Sequence, residues 1–355
     1  MTNYSNIEQR NIKITQSYSI GMKKLVSILA LSLILIGCIR DSERNNSNDS
    51  LVNLRLEVSS EDLITRVEGA DGYSSALGAI QNFSDEDWER YDLRYIFEVY
   101  PANDDITSTP ISKRQVKIVE RFDSNNYVYF NLNMEPSKNY RFVVFADIVN
   151  QDDKSDLYYD TSDLRNITMK DDKINPMDEA RDAYFATKKV YVSGQNMETI
   201  MLKRPFGKLR VVTKDYEYVE AYAAPAKAEV MYYNCEIFKS FNAVEDVIST
   251  TLTEQAMTYQ FTLSKETPYT AGVDAKSDYM TLFTDYLLAA SEGQREVHFK
   301  LTTWDKDDKL INSIDCSMPV NIERNNLTTV SGNILTVSTD INVDVDKELK
   351  EGKTL

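Results

Sequence analysis

The sequence predicts an all-β protein with one or two short helices, arranged as two tandem antiparallel β-sandwiches. From Leu51 onward, apolar and polar residues alternate mostly with period two, which is typical of half-buried strands. Polar clusters interrupt these runs every 10–20 residues, a spacing that favours sandwiches over a parallel α/β sheet. With 355 residues, 42% of them hydrophobic, the chain is long enough for two domains with separate cores.

The first 37 residues have the parts of a bacterial export signal. Lys23 and Lys24 precede an apolar run of about a dozen residues, whereas a membrane-spanning helix needs roughly 20. The run ends in Leu35-Ile36-Gly37-Cys38, which resembles a lipobox, the motif whose cysteine is acylated with chains such as palmitate. We therefore expect residues 1–37 to be a leader and lipoprotein signal peptide, and Cys38 to be lipidated.

A polar stretch without aromatic residues, 38–50, follows the predicted acylation site and is expected to be a flexible tether. Ser50 lies in an Asp-Ser-Leu tripeptide that fits a bacterial O-glycosylation pattern, so it is a candidate glycosylation site. Without residues 1–37 the chain has 36 basic and 55 acidic residues and a formal charge of −19. Anionic headgroups do not attract such a body, so the acyl chains would hold it to the membrane.

The composition argues against nucleic-acid binding and against enzyme chemistry. The full chain has 40 basic and 56 acidic residues, a formal charge of −16, and phosphate backbones repel such a chain. One histidine and three cysteines provide too few ligands for a zinc, haem or iron–sulfur site. The 11 glycines form no phosphate-binding motif. We expect no catalytic residues, no cofactor, no metal and no nucleic-acid partner.

The predicted N-terminal sandwich comprises residues 51–205. Its first strand alternates Leu54, Leu56 and Val58 with charged residues, so one face would be buried. Further strands are predicted over Leu93–Val99, Val116–Val119, Tyr127–Leu132, Phe142–Ile148 and Met197–Leu202.

Two short helices are predicted within this first sandwich. Ser84 can cap a helix over Asp85–Arg90, whose first turn is acidic, and Asn175-Pro176 can open a second helix over Met177–Ala183. Pro205 interrupts the alternation before a new series of strands begins, so we place the domain junction there.

The predicted C-terminal sandwich comprises residues 206–346, and residues 347–355 form a tail. Strands are predicted over Ala228–Phe238, Tyr259–Leu263, Tyr279–Leu288 and Glu296–Leu301, with a hairpin turn at Asp305–Asp308. The last strand alternates cleanly over eleven residues, which fixes its register. Its apolar positions and Thr339 lie on one face: Leu335, Val337, Thr339, Ile341, Val343 and Val345.

Three further features have both a chemical and a structural interpretation. His298 is interpreted as a strand residue lining one face, since no second histidine or nucleophile motif accompanies it. Cys235 and Cys316 would be either a disulfide or two buried free thiols. Asp152–Asp156 and Asp305–Asp308 lack the glycine and glutamate of a twelve-residue calcium loop, so we interpret them as acidic turns.

The segment Met318–Leu335 resembles the closing motif of the fimbrillin superfamily, surface proteins of Bacteroides-type bacteria. The matching positions are Val320, Ile322, Arg324, Asn325, Thr328 or Thr329, Gly332 and Leu335. The lipobox cysteine, Thr65-Arg66 after the first strand and the junction Lys203–Arg210 agree with it. The resemblance covers residues 50–346 and is nearest to a subgroup of uncharacterised surface lipoproteins.

The resemblance implies two transthyretin-like sandwiches, lipid-anchored in the outer membrane at the cell surface. Polymerising members are cut after an arginine by a trypsin-like protease, and a strand of the next subunit replaces the lost first strand. Here this implies protease processing at Arg66. It implies a donor strand that carries Leu335, Val337, Ile341, Val343 and Val345. The alternatives are that Arg66 lies in a plain loop and that the final strand closes its own sandwich.

The expected function is that of a fimbrial subunit or accessory component in adhesion or assembly by strand exchange. Its partners would be other fimbrial subunits or a ligand on a host or bacterial surface. The alternative is a non-polymerising surface lipoprotein that binds a glycan or a protein partner.

Overall fold

The described part of the chain is all-β, as the alternating pattern predicts. The structure is a computed structural model, and it describes residues 52–59, 85–103, 108–120, 127–170, 172, 175–176, 178–193, 197–263, 280–292, 295–336 and 342–346. Nineteen strands lie in these residues, together with two short α-helices and a 3₁₀ turn. None of the described helices is long and apolar enough to cross a bilayer.

Most predicted strands are found near their predicted positions, whereas β6, β7, β8 and β13 have no predicted counterpart. The first half contains β1 (Val52–Ser59), β2 (Tyr91–Pro101), β3 (Gln115–Val119), β4 (Tyr127–Met134), β5 (Lys138–Asn150), β6 (Tyr159–Asp160), β7 (Ile167–Met169), β8 (Ala183–Val192) and β9 (Met197–Met201). The second half contains β10 (Phe206–Thr213), β11 (Lys227–Tyr233), β12 (Ile237–Asn242), β13 (Val247–Glu254), β14 (Met257–Thr262), β15 (Met280–Leu288), β16 (Arg295–Trp304), β17 (Leu310–Ile322), β18 (Leu327–Gly332) and β19 (Asn342–Asp346).

These strands form five sheets. Their strand orders are β4-β1-β9, β3-β2-β5-β8, β13-β12-β7-β6, β15-β10-β18-β19 and β14-β11-β16-β17. All described ladders are antiparallel except two, β1 with β9 and β10 with β18. Parallel neighbours need a long connection, and in both cases many intervening strands provide it.

The helices differ from the prediction in two places. The helix α1 (Asp85–Trp88) lies where an acidic first turn predicts it. The predicted helix over Met177–Ala183 is wrong, because only a 3₁₀ turn forms at Glu179–Arg181 before Ala183 pairs with Asp147 as the first residue of β8. The helix α2 (Tyr216–Ala223) is not predicted, since its tyrosines and valine are typical strand residues.

The predicted single strand over Ala228–Phe238 is also wrong. Asn234 adopts a φ of 49°, in the left-handed region, and ends β11. The chain then continues as β12, which pairs with β7 and β13 in another sheet. Asparagine tolerates this backbone region, so a single residue redirects the chain.

Leu335 lies in a turn and not in the predicted eleven-residue strand. The Asp215 carboxylate accepts hydrogen bonds from the backbone N–H groups of Leu335 (3.2 Å) and Thr336 (2.8 Å), which holds this turn. Val337 and Ile341 lie outside the described residues. The described final strand is β19, which pairs with β18.

Two hydrophobic cores organise the described strands. The first contains β2, β5 and β8 residues together with Phe241 from the second half. The second core is built from residues of β10, β11, β15, β16, β17 and β18. The strand β10 contributes to both, because Phe206 packs in the first core and Leu209 in the second. The domain junction at Pro205 stays a prediction.

A buried ion pair joins the elements of the two cores. The Arg181 guanidinium lies 2.7 Å from the Asp285 carboxylate, and the side chains are only 2% and 1% exposed. The Tyr232 hydroxyl donates to the other Asp285 oxygen at 2.8 Å. Burial lowers the pKa of Arg181, but its interactions with neighbouring groups, chiefly the charge and hydrogen bond of Asp285, together raise the pKa above its ordinary value, so the guanidinium stays charged.

Gly207 allows β10 to approach the end of β17. A Cβ atom at this position would lie against the carbonyl oxygen of Glu323 and 2.7 Å from Cγ2 of Ile322. The Glu323 carbonyl oxygen is a backbone atom that accepts a hydrogen bond from the Asn326 N–H (3.2 Å), so it cannot simply move aside and a side chain does not fit here.

We predict that Gly207→Ala lowers the free energy of unfolding by about 2–3 kcal/mol, because the added methyl overpacks this contact. Urea unfolding followed by circular dichroism measures the change. Glu217→Ala, on the exposed surface of α2, is the matched control and should stay within about 0.5 kcal/mol of the parent. Equal stabilities of the two variants would contradict the close approach.

Candidate functional site

The strand β1 is the central strand of its sheet and connects two strands that are not paired with each other. It pairs antiparallel with β4 from Val52↔Met134 to Ser59↔Tyr127. Its other edge pairs parallel with β9, from Arg55↔Met197 to Ser59↔Met201. Among the described strands, β4 and β9 share no ladder. We call the space between β4 and β9 that β1 fills the β1 slot.

The floor of the β1 slot is apolar. Residues directly opposite one another in a ladder share a face of the sheet. The apolar positions of β1 all pair with buried residues: Val52 with Met134, Leu54 with Leu132, Leu56 with Phe130, and Val58 with Ile200. The intervening positions of β4, Asn131 and Asn133, are exposed. A strand in this slot therefore needs apolar residues at every second position.

Phe130 is the centre of this floor. Its ring is fully buried and lies 5.1 Å from the ring of Phe97, which in turn lies 5.6 Å from the ring of Phe142. The strand that occupies the β1 slot therefore covers the aromatic centre of the first core.

The β9 wall of the slot is held independently of β1. Lys188 of β8 pairs with the Glu198 carboxylate and donates to the Thr199 carbonyl oxygen at 3.0 Å. Just beyond β9, Phe185 and Lys203 exchange two backbone hydrogen bonds of 2.8 and 2.9 Å. If β1 is removed, β4 and β9 therefore each present an unpaired edge, and an extended strand can complete both.

The predicted processing and modification residues lie outside the described residues. These are Cys38, Ser50 and Arg66. Six residues separate Ser59, the last residue of β1, from Arg66. These three assignments stay predictions.

The described end of the candidate donor strand pairs within its own chain. Val343 pairs with Val330 and Val345 with Thr328, both in β18. The strand β19 is at the edge of its sheet, so a single ladder of five residue pairs holds it. This is the arrangement in which the final strand closes its own sheet.

The closing motif comprises the end of β17, the turn that follows it and β18. Asn325 has a φ of 61°, which suits a tight turn, and Arg324 precedes it. Arg324 pairs with Asp246, donates to the Ala289 carbonyl oxygen at 3.0 Å, and lies 5.6 Å above the Phe241 ring. The arginine of the motif therefore ties this turn to the first core.

The remaining polar candidates have structural surroundings. Nδ1 of His298 lies 3.1 Å from the Ser317 carbonyl oxygen across the β16–β17 hairpin. Cys235 and Cys316 are free and buried, and burial raises the pKa of Cys316 to about 11, which suppresses its thiolate. The Asp305 carboxylate accepts backbone N–H bonds within its own hairpin turn. Within the described residues, no three acidic, histidine or cysteine side chains cluster as metal ligands.

Comparison with known families gives one assignment. A family model described as a family of unknown function (DUF6562) matches residues 44–353. The chain belongs to this family. No curated protein matches the sequence significantly.

Several solved structures are similar to the DUF6562 chain. A candidate cell adhesion protein from Bacteroides eggerthii is 11% identical with a TM-score of 0.43, over 85% of this chain and 97% of that one. A fimbrial assembly protein from Parabacteroides distasonis is 13% identical with a TM-score of 0.39, over 84% and 100%. A candidate adhesin from Bacteroides thetaiotaomicron is 11% identical with a TM-score of 0.43, over 84% and 98%. Identities of 11–13% with TM-scores of 0.39–0.43 do not assign the functions of those proteins to this chain.

We predict that Phe130→Ala lowers the free energy of unfolding by about 3–5 kcal/mol, because it removes the buried centre of the slot floor. Asn131→Ala, one position along the same strand and exposed, should change it by less than about 0.5 kcal/mol. Urea unfolding of both variants tests this. A small effect of Phe130→Ala would show that the slot is not part of the first core.

Proposed function

We propose that this DUF6562 chain is a fimbrillin-like surface lipoprotein, a fimbrial subunit or accessory component that assembles by strand exchange. The observation that carries the proposal is the β1 slot. Removal of β1 leaves the edges of β4 and β9 unpaired above the buried residues Phe130 and Leu132. A strand from a second subunit restores both ladders and covers the apolar floor.

Processing at Arg66 fits this geometry because it would separate β1 from the rest of the chain. Arg66 follows the last residue of β1, Ser59, by seven positions. A cut after Arg66 leaves β4 and β9 covalently intact, so the slot opens while its walls and floor remain. Release of β1 still requires breaking both of its ladders, and the incoming strand repays that cost.

The C-terminal strand is the proposed donor. Its alternation, with Ile341, Val343 and Val345 on one face, matches the period-two requirement of the slot floor. Release of β19 breaks one ladder only, because β19 is an edge strand.

The proposed location is the outer face of the outer membrane, with acyl chains on Cys38 as the anchor. A mature charge of −19 gives the body no attraction for anionic lipid, so the anchor would be the sole membrane contact. Partners would be other subunits or a surface ligand, and the proposed role is not enzymatic.

The alternative is a monomeric surface lipoprotein that binds a glycan or a protein partner. The observation that favours it is the pairing of β1 and β19 within the chain, which leaves each strand in a complete sheet. The two functions differ in whether cleavage leads to polymer.

We predict that Cys38→Ala abolishes palmitate labelling and moves the protein from the membrane to the soluble fraction, because the acyl chains would be lost. Metabolic labelling with a palmitate analogue and cell fractionation measure both effects. Cys235→Ala, which removes a buried thiol, is the matched control and should keep label and membrane association. A membrane-bound Cys38→Ala protein would contradict the lipid anchor.

We predict that trypsin cuts the chain of residues 39–355 once, after Arg66, and that an SDS-resistant ladder follows. Intact mass and an unheated detergent gel provide the two measurements. Arg66→Ala should lose both the cut and the ladder.

Two further variants separate cleavage from exchange. The double variant Val343→Asp and Val345→Asp should be cut normally but form no ladder, because charges cannot face the apolar floor. Asp344→Ala, on the other face of the same strand, should behave like the parent. An uncut monomer, or cuts in residues 39–50 alone, would contradict strand exchange and leave the monomeric alternative.

A further inference from the structure

An open cleft lies at one end of the sheet β14-β11-β16-β17. Lys227 begins β11 and pairs with the last residues of both neighbours, Thr262 of β14 and Trp304 of β16. The turn after Trp304 adds Asp308 to the lining. The cleft has a volume of about 350 Å³, within the range of roughly 300–1,000 Å³ that is usual for small-ligand sites.

Trp304 is on the outer face of this sheet. Along β16, Phe299, Leu301 and Thr303 are buried, and Trp304 belongs to the alternate, partly exposed set. Within the described part of the chain, Trp304 packs against neither hydrophobic core and its indole N–H has no hydrogen-bond partner. The other tryptophan, Trp88, packs against the first core. Trp304 is therefore a partly exposed tryptophan whose ring packs against neither core, and such tryptophans are typical of binding sites.

Hydrogen-bonding side chains surround this tryptophan. Lys227 forms an ion pair with Asp308 across the mouth of the cleft. In the next row of the sheet, Gln260 donates to the Glu229 carboxylate at 2.6 Å. The backbones of these residues lie on strands or in a tight turn, which fixes the place from which each side chain reaches toward the indole ring.

The charges of the cleft select the class of ligand. The two charged side chains that line the cleft, Lys227 and Asp308, balance each other, and they lie on a chain of formal charge −16. A site without net positive charge on so acidic a chain does not attract anionic ligands. A neutral pyranose ring has an apolar C–H face that can stack on an indole and hydroxyl groups that bind amides and charged side chains at its rim.

We propose that this cleft binds a neutral oligosaccharide, with one pyranose ring stacked on Trp304 and its hydroxyl groups bonded to Lys227, Gln260 and Asp308. The site lies in a different sheet from the β1 slot and is present in the uncut monomer. The proposal therefore goes beyond strand exchange and does not rest on it.

The test uses the chain of residues 39–355 and four neutral probes: cellohexaose, xylohexaose, mannohexaose and a galactan-derived hexaose. Isothermal titration calorimetry measures affinity, and tryptophan fluorescence reports stacking. We expect at least one probe to bind, Trp304→Ala to weaken that binding about tenfold or more, and Trp304→Phe to keep part of the affinity. The melting temperatures of both variants should match that of the parent.

The matched control is Met318→Ala in β17. It removes a large apolar side chain that is 53% exposed in the same sheet but outside the cleft, so the affinity should not change. The proposal is overturned if no probe binds at millimolar concentration, or if Trp304→Ala binds as tightly as the parent. Tighter binding of the anionic hexamer of galacturonic acid would overturn the neutral ligand class. The trypsin ladder of Trp304→Ala, which should form normally, keeps this outcome separate from that of strand exchange.

Discussion

The buried ion pair between Arg181 and Asp285 is the interaction on which the relation between the two cores depends. Taking two charges out of water is costly, and only close geometry with further hydrogen bonds offsets that cost. Here Arg181 also donates to the Tyr286 carbonyl oxygen, and Tyr232 donates to Asp285. Loss of one partner would leave an uncompensated buried charge, which typically costs about 3–5 kcal/mol. The pair therefore holds the 3₁₀ turn before β8 against β15 and β11.

A second buried network lies next to the first. Arg204 donates twice to the Asp182 carboxylate, at 2.8 and 2.7 Å, and once to the Tyr184 hydroxyl at 2.6 Å. Arg204 lies three residues after Met201, the last residue of β9. This network therefore holds the chain just beyond β9, and with it the β9 wall of the β1 slot. The wall is thus anchored by buried charges, whereas β1 is held by its two ladders and the apolar floor. This difference is what would allow β1 to leave while the slot persists.

The strand positions were predictable because alternation is a local property. The strand β16 follows from its side-chain period, β5 from its continuous apolar run, and the hairpin turn at Asp305–Asp308 from its turn residues. The failures occur where a distant residue overrides the local pattern. Asp215 binds the backbone at Leu335, which turns a predicted strand residue into a turn residue 120 positions away from its partner.

The candidate sites also combine features that the local sequence predicts with features that depend on distant residues. The alternation of β1 and of the final strand indicates that both need an apolar floor, and the lipobox at Cys38 is a purely local motif. Trp304, in contrast, carries no signal in the sequence, because it ends an ordinary alternating strand. Only the structure shows that the ladders place Lys227 next to it and Thr262 on the following strand, and that its ring packs against neither described core.

The sequence by itself determined the all-β class, the positions of the predicted strands and the acidic charge, and it predicts the export signal. Each of these depends on residues close together in the chain. Only the tertiary structure decided that β1 lies parallel to β9, and that Arg181 meets Asp285 across 104 positions. The physical reason is that an alternating strand fits any sheet with one buried face. Which sheet it joins depends on long-range packing and on how the buried charges are paired.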